Sequence, residues 1–128
     1  FQFLTDWEDR YMHVIDMGKL LPSLNETEKT DTNKVKGCVS QVWLISNISD
    51  GPDPMLNFRG DSDAHIVKGL VAITLEIFSN RKASEILSLN AIEILRELEL
   101  EEHLSLQRAN GLKAMIARIK DYAQNALN

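Results

Sequence analysis

The chain has 128 residues, 44% of them hydrophobic and 26% charged, which suits one ordinary globular domain spanning 1–128. At this size roughly two thirds of the unfolded surface can be buried, enough for an independent core. The formal net charge of −5 argues against a nucleic-acid partner, which needs a basic stripe, and no apolar run is long enough to cross a bilayer.

Thr5-Asp6-Trp7-Glu8 reads as a capping box that opens a helix. Trp7, Tyr11, Val14, Ile15 and Leu21 form its apolar stripe, Gly18 leaves room for a close neighbour on the same side, and Pro22 stops it. The polar stretch from Asn25 to Lys34 has no apolar periodicity and reads as an exposed loop. Lys34-Val35-Lys36 is a candidate short strand, and Val42 to Ile48 is the clearest strand, aromatic and β-branched. Ser49-Asp50-Gly51-Pro52-Asp53-Pro54 is dense in turn residues, so Met55 to Arg59 should return antiparallel.

Asp61 or Ser62 is expected to cap the next helix, whose body runs from Ala64 to Phe78. Its β-branched residues (Ile66, Val67, Val71, Ile73, Thr74) favour a strand, but the length of the run decides for a helix. Being apolar on most sides, it should be the central one. Two short helices are expected over Ser84–Leu87 and Ala91–Leu98. The last runs from about Leu106 to Ala126 behind a Ser105 cap, with Leu112, Met115, Ile116, Ile119 and Tyr122 on one face. A small sheet needs cover on at least one face. The predicted fold is therefore α+β: a three-stranded antiparallel sheet covered on one face by helices.

Cys38 is the only cysteine, so it forms no internal disulfide and leads no multi-cysteine metal site. Gly37 before it allows unusual backbone angles. By residue type alone a free cysteine is more often a small buried apolar side chain; at a loop-to-strand junction it is also a candidate nucleophile. His13, expected at the surface, and His65 and His103 have no zinc-like spacing with it, so no metal is expected. The four methionines read as core filler, and Glu93, Glu97, Glu99, Glu101 and Glu102 as a solvated face. Asp61 and Asp63 read chiefly as helix-capping carboxylates. One cysteine fits a reducing cytosol.

The heptad Gly37-Cys38-Val39-Ser40-Gln41-Val42-Trp43 resembles the signature of the SufE family of sulfur acceptors. Trp7-Glu8-Asp9-Arg10-Tyr11 with Gly18 and Leu21-Pro22 is similar to the family's first helix. Gly60-Asp61-Ser62-Asp63-Ala64-His65-Ile66-Val67-Lys68-Gly69-Leu70 is similar to its second signature. Glu102-His103-Leu104, then Arg108-Ala109-Asn110-Gly111-Leu112-Lys113-Ala114-Met115-Ile116, resembles the third. The matches follow the family's order over nearly the whole chain. One departure is Ser105-Leu106-Gln107-Arg108, where the family usually has Thr-Pro-Ser-Arg.

The resemblance implies a fold shared with NifU/IscU-type scaffolds and a role in Fe–S cluster assembly. The chain would take persulfide sulfur on Cys38 from a pyridoxal-phosphate cysteine desulfurase (SufS/CsdA-like), stimulate it, and pass sulfur to a SufBCD-like scaffold. It would hold no cofactor itself and act as a CsdE-like partner rather than a stand-alone enzyme, in the cytoplasm. Gly37, Ser40 and Gln41 would form the supporting loop. Arg108 is the candidate for lowering the thiol pKa; alternatively it pairs with Asp61 or Asp63 to join two helices. A cluster scaffold and a purely regulatory binder of the desulfurase are the alternative functions. A scaffold needs about three thiolate ligands, and this chain has one.

Overall fold

The computed structural model describes residues 7–36, 40–90, 93, 96 and 106–127. Gly37, Cys38, the Thr5 and Ser105 caps, His103 and most of the helix expected over Ala91–Leu98 lie outside them, as do the side chains of Trp7 and Tyr11. In chain order the elements are α1 (Trp7–Leu20), a 3-10 turn (Glu26–Glu28), β1 (Val42–Ile48), β2 (Met55–Ser62), α2 (His65–Phe78), β3 (Arg81–Lys82), α3 (Ala83–Ser88) and a final helix, α4 (Leu106–Leu127). The sheet is antiparallel in the order β1-β2-β3.

The third strand is not the expected one. Lys34 contributes a single bridge, to Trp43, while Arg81 and Lys82 pair with Leu56 and Met55 on the far side of β2. Asn80, at φ 60°, turns the chain out of α2, and its amide donates to Leu56 O at 2.9 Å.

The register sets Val42 against Ser62 and Leu44 against Gly60. Because side chains alternate along a strand, Val42, Leu44, Leu56 and Phe58 point together into the core, all buried. The central helix α2 lies on β2 and packs against α1 and α4, burying Ile66, Val67, Leu70, Val71, Ile73, Leu75 and Phe78. The foreseen face of α4 is buried through Leu112, Met115, Ile116 and Ile119, and Tyr122 meets Phe58 with ring centroids 6.3 Å apart.

The α1–α2 crossing depends on two glycines. A Cβ on Gly18 would stand 2.6 Å from Gly69 N, and one on Gly69 would fall onto Val14 O and within 2.7 Å of Val14 C. The room left by Gly18 is filled by the backbone of α2.

The other sheet face is not simply wet. Leu24, 5% exposed, is laid against the protein just before the stretch expected as an exposed loop, and from Asn25 to Lys34 that stretch is exposed or half-buried, as expected. There Glu28 takes a two-pronged grip from Arg59 at 2.6 and 3.1 Å, and the Lys29 ammonium lies 5.2 Å from the Trp43 ring centroid. The methionines divide: Met115 is buried and Met17 packs at the core margin, but Met12 and Met55 are 54% and 41% exposed. Met55 takes an outward register position at the start of β2, so it cannot fill the core.

Candidate functional site at the cysteine hairpin

Asn33 to Val35 run antiparallel to Val42 to Leu44. The Val35 amide donates to Val42 O at 2.8 Å and the Leu44 amide to Asn33 O at 2.9 Å. The chain between these two arms carries Gly37 and Cys38. Lys36, on its near side, is exposed; Ser40, on its far side, is half-buried.

The downstream arm is tied to the turn between β2 and α2. The Gln41 amide donates to Asp63 Oδ1 at 3.0 Å. Gln41 O accepts from Ser62 Oγ at 2.7 Å and from the Asp63 amide at 3.3 Å. Both backbone groups of Gln41 are thus satisfied by two residues of one turn, which fixes the end of the cysteine segment.

Asp61 does different work from the expected cap. Asp61 and Ser62 end β2, and α2 begins after Ala64 with no side-chain cap. The Asp61 side chain, 3% exposed, lies 3.3 Å from Lys68 Nζ and 3.6 Å from Lys29 Nζ. It also accepts the Leu24 amide at 3.0 Å and the Ser62 amide at 2.8 Å. Burial pushes its pKa up, but the Leu24 and Ser62 amides and Lys68 outweigh this and hold it below the ordinary carboxylate value. The carboxylate pins the segment crossing the outer face to β2 and α2, beside its cross-strand neighbour Trp43.

A depressed folded-state pKa contributes stability that is present above the unfolded value and lost as pH falls through the folded one. Asp61→Asn should therefore lower stability by about 2 kcal/mol near neutral pH. Its deficit should shrink below about pH 4, where the wild-type carboxyl begins to protonate in the unfolded chain. Urea midpoints across that range check this; a deficit unchanged by pH would show that charge is not what Asp61 contributes.

Arg108 lies in the first turn of α4 and is half-buried. Of its two expected alternative partners, Asp61 bonds the lysines and amides above and Asp63 accepts the Gln41 amide. His13 is exposed, as expected, and so is His65. Ser40, Gln41, Asp61 and the Ser62–Asp63 turn are thus gathered around one hairpin.

Three contributors escaped the sequence reading: Lys29, Lys68 and Arg118. Arg118, on α4, reaches the upstream arm by donating to Lys34 O at 3.3 Å and to Thr32 O. A side chain that bonds backbone carbonyls across 84 residues leaves no local pattern. No helix among the described residues is long and apolar enough to cross a membrane.

Comparison with known proteins fits this architecture. The family described as an Fe-S metabolism associated domain, SufE, matches residues 1–123. An uncharacterized SufE-like protein of Rhizobium meliloti (strain 1021) is 56% identical over 128 residues, covering 99% of this chain and 91% of that protein. A second, from Rhizobium etli, is 54% identical over 125 residues, covering 97% and 84%. The solution structure of a hypothetical protein from Thermus thermophilus superposes with a TM-score of 0.77 at 18% identity, over 98% of this chain and 89% of that one; at that identity it speaks for the fold alone. The chain belongs to the SufE family, whose domain is associated with Fe–S metabolism.

Proposed function

We propose that the protein accepts persulfide sulfur on Cys38 from a pyridoxal-phosphate cysteine desulfurase and passes it to an Fe–S scaffold complex. The observation that carries this reading is the lone thiol of the family heptad in a hairpin whose two arms are separately tied down. The Cys38 thiolate attacks the outer sulfur of the donor persulfide. A sulfur–sulfur bond forms to Cys38, the donor's own sulfur–sulfur bond breaks, and the donor cysteine leaves as thiolate. The outer sulfur keeps its proton and there is no net oxidation or reduction. No second cysteine stands in the chain to attack the new persulfide and release sulfide. The setting we propose is the cytoplasm, where thiols stay reduced.

A free thiol is only a few per cent ionised at neutral pH. Arg108 is proposed to favour the thiolate. A nearby cation is worth about one pKa unit or more, so Arg108→Ala should slow sulfur uptake about tenfold while the domain stays folded. A large drop in melting temperature would instead mark Arg108 as a helix clamp.

The function is tested by desulfurase turnover, measured as alanine release from cysteine in the presence of a reductant. Adding the protein should raise turnover and carry labelled cysteine sulfur onto the chain. Turnover unaffected at saturating protein, with no label transferred, would overturn the proposal.

A further inference from the structure

We propose that Arg118 is a positioning residue for the cysteine hairpin, acting on the arm from which the cysteine segment departs. In an extended arm successive carbonyls point to opposite edges. Asn33 O faces β1 and accepts the Leu44 amide. Thr32 O and Lys34 O turn the other way, and both accept from the Arg118 guanidinium. Among the described residues, one edge of the arm therefore bonds β1, while the two carbonyls on the other edge bond one forked side chain. The planar fork of arginine spans two acceptors at once, which a lysine ammonium cannot match.

Two side chains beside Arg118 on its helix are small. Ala114 and Ala117, with Val35, Lys36, Arg118 and Asp121, line an open groove of about 280 Å³ between α4 and the arm. Across this groove the guanidinium's hydrogen bonds join helix and arm. The Tyr122 ring, 5.2 Å from the guanidinium carbon, backs the fork and restricts its motion. Val35 is buried and holds the arm from below; Arg118 fixes its path along α4.

The consequence for sulfur transfer rests on the acceptor role proposed for Cys38, whereas the mechanical consequence does not. Losing charge-assisted hydrogen bonds to two carbonyls should speed amide exchange at Val35 and Leu44 about tenfold in Arg118→Ala, with α2 protection unchanged. The pH-independent rate of Cys38 alkylation by iodoacetamide should rise about threefold as the arm loosens. The limiting rate of sulfur uptake from a persulfurated desulfurase should fall about tenfold, at an unchanged half-saturating donor concentration, because reacting groups are misplaced while docking is not. Arg118→Lys, reaching one carbonyl, should give intermediate values and keeps the test open if the alanine variant unfolds. A variant that melts lower but keeps wild-type arm exchange, alkylation and uptake would overturn the inference and leave Arg118 a simple staple. If the wild type takes up no sulfur, the acceptor role falls, and exchange and alkylation still decide the case of Arg118.

Discussion

Gly69→Ala is expected to lower stability by about 3 kcal/mol or more, beyond the usual cost of one added methyl. The new Cβ would fall onto Val14 O and lie 2.7 Å from Val14 C. A side chain in its way could change rotamer; a helix backbone cannot. The α1–α2 pair would have to move apart, and with it Val14 and Leu70, each 1% exposed in the core. For a domain of this size the melting temperature should fall by about 10 °C. Gly18→Ala should act in the same direction, since its Cβ would meet Gly69 N at 2.6 Å. A Gly69→Ala protein that melts with the wild type would mean that the helices do not cross this closely.

Cys38→Ser should have the opposite profile. The change is nearly isosteric, so the melting temperature should move by only a few degrees, on the order of 1 kcal/mol. Function should be lost outright, because a serine hydroxyl is barely ionised at neutral pH and cannot form a persulfide. Desulfurase stimulation should fall to the level seen without the protein. A variant that still stimulates fully would make the chain a regulatory binder, with Cys38 incidental.

Much of the architecture was legible because its signals are local. The aromatic and β-branched run from Val42 to Ile48 and the dense turn after it fixed β1 at its observed bounds, and the length of the apolar run after Ala64 outweighed its β-branched content. Strand β3 was not legible: two residues, Arg81 and Lys82, carry no periodicity and pair only because Asn80 turns the chain back. Asp61 was misread for a related reason. A carboxylate just before a helical run looks like a cap, but its partners Leu24, Lys29 and Lys68 are gathered by the fold. Gly18 hinted at a close neighbour, though nothing in the pattern named Gly69 as that neighbour. At the site, Cys38, Ser40 and Gln41 stood out through the family heptad, whereas Arg118 was one cation among those on the polar side of α4.

The destination of the donor's sulfur is the most direct test of the acceptor role. The protein should be mixed with a desulfurase already carrying its persulfide, freed of small thiols, and weighed intact and then as peptides. One added sulfur atom, on the peptide containing Cys38 and removed by reductant, is the predicted result. A donor that discharges its sulfur while the chain gains none, or gains it on a peptide without Cys38, would contradict the account.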